Sequence, residues 1–182
     1  MDTKDVWRLV EQARADTGGG DADAVAGRMT ALLAQREPTE IVAFAQPLWD
    51  LLVASYRADL WAAAYVINGG SSDDGFDYFR GWLLAQGQAV YDQALTDPDS
   101  LADLPAVLAA AEEGEELEGE AILSVAWDAH LQATHKELPA DAFTISYPQL
   151  DPDWDFDFND EVEMRRRLPR LTALYYEDQR ED

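Results

Sequence analysis

Hydrophobic residues recur at helical spacing along most of the chain. In residues 3–15, Val6, Trp7 and Val10 lie at intervals that place side chains on one face of an amphipathic helix, with charged residues between them. The same pattern predicts further helices, bounded mostly by Gly, Pro or Asp residues. Their apolar positions span residues 25–33, 41–52, 58–68, 76–87, 90–95, 104–108 and 121–136.

Boundary signals divide the chain in the middle of this pattern. The 58–68 segment is apolar on more than one face, which indicates a central helix. Gly69 and Gly70 follow it, and glycine readily adopts the left-handed conformation that ends a helix. Residues 71–74, Ser-Ser-Asp-Asp, then offer N-caps for the next helix, which ends near Gly87.

The C-terminal part departs from the helical pattern. Prolines break it into short pieces, and residues 143–145 are a candidate for a brief strand. Residues 160–176 are predicted to hold one or two short helices. The sequence therefore predicts a mainly α, single-domain fold over residues 1–182. Its helical core covers about residues 3–136, and an irregular or β-like segment, acidic and aromatic, leads into the short helices of residues 137–182.

Length and composition fit this prediction. A chain of 182 residues is a usual size for one domain, and 47% hydrophobic residues supply a sizeable core. The absence of cysteine excludes disulfides, thiol catalysis and cysteine-ligated zinc or iron–sulfur sites. The sequence also lacks a signal-peptide pattern and any apolar run of about 18 residues. We therefore expect a cytoplasmic protein.

The net charge constrains function more strongly than length and composition do. The formal net charge is -24. Residues 1–91 hold 13 acidic and 7 basic residues, a net charge of -6, whereas residues 92–182 hold 24 and 6, a net charge of -18. Such a field repels phosphates and anionic lipids, so we expect no direct binding to nucleic acid or membranes. It favours cations or a basic protein partner, unless the charge only keeps the chain soluble and monomeric.

One block of sequence is distinctive enough to indicate a family. Residues 69–82 read Gly-Gly-Ser-Ser-Asp-Asp-Gly-Phe-Asp-Tyr-Phe-Arg-Gly-Trp, and Asp-Pro-Asp-Ser-Leu-Ala follows at residues 97–102. Together with Val-Trp-Arg-Leu-Val at residues 6–10, this block resembles the mainly bacterial domain-of-unknown-function family DUF4240. The resemblance implies a single domain. Because the family has no assigned activity, the resemblance indicates no reaction or ligand. The resemblance implies a cysteine at the position of Ser71 in many relatives, and the serine here argues against a thiol role.

The first candidate site lies at the start of the helix after Gly70. Asp73, Asp77 and Arg80 fall at spacings of four and three and therefore share one helix face. Asp74 joins Asp73 at the positive end of the helix dipole. The structural explanation is an ion pair that pins the glycine loop to the core. The functional explanations are a pocket that receives an anionic ligand, or paired carboxylates for acid–base chemistry or a divalent metal.

The second candidate is the run at residues 151–160, Asp-Pro-Asp-Trp-Asp-Phe-Asp-Phe-Asn-Asp. In an extended segment, alternation puts the aromatic side chains on one side and the aspartates on the other. The run is then an edge segment held on the core, or a docking strip for a basic partner. An EF-hand is disfavoured, because Phe156 and Val162 occupy the positions of the required Gly and Glu. The partner-binding candidates are Asp153, Trp154, Asp155, Phe156 and Asp157.

The remaining signals are weak. Residues 112–120, rich in glutamate with two glycines, predict an exposed turn between helices. His130 and His135 are five residues apart, on different helix faces, which indicates solvent or boundary positions and no metal pair. No phosphate-binding loop, dinucleotide fingerprint or nucleophile elbow is present. We therefore expect no cofactor and no metal, and nucleophilic catalysis has no support.

Two functional hypotheses remain, and we favour the first. In it, the chain is a non-catalytic, acidic protein-binding module, such as an inhibitor, an immunity-like protein or a DNA mimic. In the second, it is a small-ligand-binding protein or an enzyme with its site at Asp73, Asp74, Asp77 and Arg80. A pocket at Arg80 favours the second hypothesis, and closure of Arg80 by Asp77 and aromatic side chains counts against it.

Overall fold

Ten α-helices and two short 3-10 helices make up the fold of residues 1–176, the part of the chain that the computed structural model describes. The α-helices are α1 (Thr3–Thr17), α2 (Ala22–Leu33), α3 (Pro38–Ala54), α4 (Ala58–Ile67), α5 (Asp73–Ala85), α6 (Gln88–Thr96), α7 (Pro105–Glu113), α8 (Glu120–Thr134), α9 (Glu161–Arg167) and α10 (Pro169–Tyr175). The 3-10 helices are Pro98–Asp103 and Pro152–Trp154. The mainly α, single-domain fold predicted from the sequence is confirmed.

The turn between α4 and α5 follows the predicted signals. Ser72 Oγ accepts a 3.1 Å hydrogen bond from the backbone N–H of Gly75 and so caps the first turn of α5. Gly69 and Gly70 have φ angles of 65° and 131°, in the region that residues with a Cβ rarely adopt. The chain can therefore leave α4 sharply before α5 begins.

The interior is built around α8, which packs against α2, α3 and α5. Its contact with α5 is very close at Gly81 and Gly119. The backbone N–H of Gly119 donates a 2.9 Å hydrogen bond to the carbonyl oxygen of Tyr78, and a Cβ on Gly81 would overlap the Gly119 carbonyl oxygen. This contact fixes the backbone beside Gly119. The neighbouring residues Glu118 and Glu120 line a cleft described below.

Residues 143–145 are irregular, and residues 1–176 contain no strand. The brief strand considered for residues 143–145 is therefore wrong, and the segment takes the irregular form. Gln46 on α3 supplies the physical reason: its amide oxygen accepts from the Thr144 N–H at 2.8 Å, and its amide nitrogen donates to the Thr144 carbonyl at 3.2 Å. One side chain satisfies the backbone groups that a neighbouring strand would have bonded.

The two C-terminal helices, α9 and α10, confirm the short helices predicted over residues 160–176. Met164, Leu168 and Leu171 are buried in the same core cluster as Val6 of α1. Helix α10 packs against α4, α7 and the 3-10 helix formed by Pro98–Asp103. Within residues 1–176, no helix combines the length and apolar character needed to cross a membrane.

Candidate functional site

Arg80 of α5 is buried, with 1% of its side chain exposed. One terminal nitrogen of its guanidinium donates to the carbonyl oxygen of Leu52 near the end of α3. The other terminal nitrogen donates to the carboxylate of Asp77, one turn earlier on α5. The side chain thus joins α5 to α3 and carries its counter-ion on its own helix.

Aromatic rings cover the Arg80 guanidinium. Its central carbon lies 4.9, 5.2 and 5.4 Å from the ring centres of Phe76, Tyr56 and Tyr147. Such cation–π contacts stabilise a desolvated cation, and here they face a guanidinium whose Nε has no hydrogen-bond partner in residues 1–176. Ring packing and the ion pair close the guanidinium off from solvent.

Only two of the four residues predicted to form a site at the start of α5 are joined to each other by an ion pair. Asp77 and Arg80 are brought together, whereas Asp73 and Asp74 are exposed in the first turn of α5 and make no ion pair with Arg80. This geometry supports the structural explanation, an ion pair that holds the helix to the core. Ligand binding by Asp73, Asp74, Asp77 and Arg80 stays a prediction.

Residues 151–160, here called the aspartate strip, show the predicted alternation. The side chains of Trp154, Phe156 and Phe158 are half-buried against the core, and the aspartates between them are exposed. The strip begins with the 3-10 helix Pro152–Trp154 and is otherwise irregular, so the alternation arises without a strand. Partner binding by the five candidate residues of the strip stays a prediction.

Contacts with two helices hold the aromatic side of the aspartate strip. The guanidinium carbon of Arg167 on α9 lies 4.8 Å from the ring centres of Trp154 and Phe156. The ring of Phe158 meets the ring of Tyr65 on α4 edge-on, with centres 5.7 Å apart. The exposed aspartates are therefore displayed from an anchored backbone.

The carboxylates of the aspartate strip serve local turns. Asp157 accepts 2.9 Å hydrogen bonds from the backbone N–H and the side-chain amide of Asn159, and these bonds lower the pKa of Asp157.

The structure of residues 1–176 contains no group of three or more His, Asp or Glu side chains that could hold a metal ion.

Of the glutamate-rich residues 112–120, the first two end α7, residues 114–119 form the turn and Glu120 begins α8, and all the glutamates are exposed. The predicted turn between two helices is therefore confirmed. Hydrogen bonds at Leu117, within the turn, fix the turn to the end of α4. The side-chain amide of Asn68 donates to the Leu117 carbonyl at 3.3 Å and accepts from the Leu117 N–H at 2.9 Å. The glutamates are therefore carried on a fixed loop.

A cleft of about 700 Å³ lies beside this turn, between α2, α3, α5 and α8, and is here called the acidic cleft. No Lys or Arg of residues 1–176 lines it. Its lining combines carboxylates with aromatic side chains. The carboxylates are those of Asp23, Glu118 and Glu120, and the aromatic side chains are those of Trp49, Tyr78, Trp127 and Phe143.

The carboxylates of the acidic cleft are electrostatically crowded. Partial burial and the charges of Glu116 and Glu120 raise the pKa of Glu118. The charge of Glu120 also raises the pKa of the Tyr78 phenol. Because no cation of the described chain offsets these charges within the cleft, negative potential lies directly beside aromatic surface.

The acidic cleft could not be predicted from the sequence, because its lining residues come from segments that are far apart along the chain. Trp49 of α3 and Phe143 of the irregular segment stack with ring centres 5.1 Å apart and planes 8° apart. The one local signal is Trp127, which keeps 39% of its surface exposed on α8 beside the buried Ala126.

The two histidines differ in environment. His130 is buried, contrary to the expected solvent or boundary position, because its Nδ1 lies 2.9 Å from the carbonyl oxygen of Lys136. His135 is exposed and ends α8 with a φ angle of 58°. Helix capping and a local turn account for both residues.

The fold and these sites define an acidic, all-helical protein whose surface combines carboxylates with aromatic side chains. The sequence model of the family described as "Protein of unknown function (DUF4240)" matches residues 1–132, and the chain belongs to this family. The match includes α1 to α7 and most of α8, and it ends before the aspartate strip. No curated protein and no solved structure matches the chain.

Proposed function

We propose that this protein is a non-catalytic module that binds a basic protein partner through its carboxylate-rich surface. The supporting observation is how the charges of residues 1–176 are distributed: the arginines form ion pairs with acids of the same chain, and many exposed acids have no basic partner. Inhibitors, immunity-like proteins and DNA mimics are the functional classes that use such a surface.

The arginines are neutralised within the chain. Every Arg of residues 1–176 forms an ion pair with an acid of the same chain. The pairs are Arg8–Asp5, Arg14–Glu11, Arg28–Asp16, Arg36–Glu40, Arg57–Asp59, Arg80–Asp77, Arg165–Glu161, Arg166–Glu163, Arg167–Glu163 and Arg170–Asp103. Little positive charge therefore remains on the described surface to repel a basic partner.

The surplus acids are concentrated on two fixed surface features. At the end of α7, in the turn that follows it and in the aspartate strip, exposed carboxylates form no ion pair with a Lys or Arg of residues 1–176. They are Glu112, Glu113, Glu115, Glu116, Asp153, Asp155 and Asp157. Because the Asn68 contacts fix the turn and Arg167 fixes the strip, a partner meets carboxylates that need little ordering on binding.

Co-purification from the native host's lysate at low and at raised salt tests the proposed function. We expect a stoichiometric basic protein at low salt that leaves as the salt concentration rises, since screening weakens exposed charge pairs. A partner retained equally at both salt concentrations would contradict a carboxylate-driven interface. An empty lane at both would remove the protein-binding proposal.

A further inference from the structure

The acidic cleft has a composition suited to an organic cation. Four aromatic residues line it, and its carboxylates supply a counter-charge. Cations bind over Trp and Tyr faces within about 6 Å of the ring centre, and the contact strengthens when it is desolvated. A divalent metal would instead require several converging oxygen ligands, and the described residues hold no such group.

The cleft is also a built feature of the fold. Glu118 and Glu120 flank Gly119, whose N–H donates to the backbone of Tyr78 at 2.9 Å. This bond and the Gly81 contact leave no room for the loop to move inward. The backbone that carries Glu118, Glu120 and Tyr78 is thus fixed by contacts between α5 and α8.

Size and charge identify the occupant. A volume of about 700 Å³ lies within the range of pockets that enclose drug-sized ligands, about 300–1,000 Å³. It accommodates a charged side chain together with adjoining peptide. A basic peptide complements both the carboxylates and the ring faces, whereas phosphates and anionic lipids are repelled.

We infer that the acidic cleft receives a lysine or arginine side chain of the basic protein partner, with the cation between the aromatic walls and Glu118 and Glu120. The inference rests on the proposed function and names the place where one cationic side chain of the partner is held. The aspartate strip then supplies longer-range attraction.

The test uses the full chain and a short peptide, acetyl-Gly-Arg-Gly-Arg-Gly-amide. Binding is measured by calorimetry, and the indole N–H signals of Trp49 and Trp127 are followed by NMR. We expect both signals to shift, while that of Trp7, which is buried against Tyr91, stays in place. The same peptide with citrulline for arginine keeps the shape without the charge and should bind at least about tenfold more weakly.

Two double variants with the same change in charge locate the site. Glu118→Gln with Glu120→Gln should weaken the arginine peptide about tenfold or more, because both carboxylates line the cleft. Asp92→Asn with Glu137→Gln, both exposed, should change its affinity less than about threefold, because neither residue lines the cleft. Thermal unfolding confirms that both variants are folded.

Several outcomes would overturn the inference. They are an equal loss in the two variants, equal binding of the citrulline peptide, and the absence of binding. Spermidine binding as tightly as the peptide would assign the cleft to a free polyamine instead. If the lysate yields a salt-sensitive partner while the cleft variants behave alike, the proposed function stands and only the cleft assignment fails.

Discussion

At the scale of single residues, Arg80 shows how a charge is kept inside a helical core. It bonds to Asp77 and to the Leu52 carbonyl, and three aromatic rings surround it. A buried ion pair contributes little net stability over a well-packed apolar pair, yet breaking it is costly, because the remaining charge stays buried.

We predict that Asp77→Ala lowers the free energy of unfolding by about 3 kcal/mol, at the low end for broken buried pairs because Asp77 is partly exposed. Adding Arg80→Met to that variant should recover part of the loss, since the orphaned charge is removed. Urea unfolding measures both. Asp74→Ala, in the same helix but away from Arg80, is the control and should have a much smaller effect. A double variant less stable than Asp77→Ala would contradict this account.

Two tyrosines make the fold sensitive to alkali. Burial raises the pKa of Tyr91 and that of Tyr175 from 10.0 to about 12. Because the folded pKa exceeds the ordinary value, folding favours the neutral phenol. This contribution to stability is complete below pH 10 and is lost as the pH rises through 12.

Tyr91→Phe separates this effect from other alkaline changes. At neutral pH the variant should be about 1 kcal/mol less stable, since the Tyr91 hydroxyl donates a 2.6 Å hydrogen bond to the Leu51 carbonyl. Between pH 10 and 12 it should lose less stability than the unmodified chain, as followed by urea unfolding at each pH. An equal loss of stability in the two proteins between pH 10 and 12 would show that the pKa of Tyr91 is not raised in the folded state.

Sequence reasoning succeeded at this scale where partners are close along the chain. The pairing of Asp77 with Arg80 and the alternation of the aspartate strip follow from helix and extended-chain geometry. The partners of these features could not be predicted: Arg167 reaches the strip from α9, and Tyr147 reaches Arg80 from the irregular segment. Such contacts depend on the tertiary fold.

At the scale of elements, a carboxylate from the family-matched region caps a helix outside it. Asp99 is 6% exposed and accepts hydrogen bonds of 2.9–3.1 Å from the backbone N–H groups of Arg170 and Leu171, at the start of α10. The Asp-Pro-Asp-Ser motif therefore connects the matched region to the C-terminal helix.

We predict that Asp99→Ala lowers the free energy of unfolding by about 2 kcal/mol, the upper part of the range for lost N-caps, because the cap is buried. Amide exchange should show that α10 opens more readily. Asp103→Ala removes a more exposed carboxylate that pairs with the Arg170 side chain, and exposed pairs contribute little. Similar effects of the two substitutions would contradict the capping role of Asp99.

The crossing of α5 and α8 depends on the absence of a side chain at Gly81. Gly81→Ala should destabilise the fold by about 3 kcal/mol, because its Cβ would overlap the Gly119 carbonyl, a backbone atom that cannot turn aside. Gly27→Ala is the matched control in a helix with open space around it, and it should stabilise by about 0.5–1 kcal/mol. Thermal unfolding compares them, and a tolerated Gly81→Ala would show that the crossing can loosen.

Helix positions were largely predictable because hydrophobic spacing and glycine or serine signals coincide, as they do around Gly69 and Ser72. The segment over 143–145 has the β-branched and aromatic residues of a strand, but residues 1–176 contain no strand that could pair with it. The Gln46 side chain takes that role instead. A competing side-chain partner of this kind leaves no periodic signal in the sequence.

At the scale of the whole molecule, uneven charge is the main functional feature. Net charge alone was evident from the sequence, and it left both solubility and partner binding open as explanations. The structure adds that described arginines are paired internally and that surplus acids lie on anchored elements. Paired charges contribute little to a long-range field, so the attraction for a basic partner comes from the unpaired acids.

The measurement that tests this account most directly is calorimetric titration of the co-purified basic protein at low and physiological salt. The aspartate-strip variant Asp153→Asn, Asp155→Asn, Asp157→Asn is compared with the charge-matched variant Asp74→Asn, Asp92→Asn, Glu137→Gln. We predict affinity that falls with salt, a loss of about tenfold or more in the strip variant, and a loss of less than about threefold in the other. Salt-independent affinity, or equal losses in the two variants, would contradict the account.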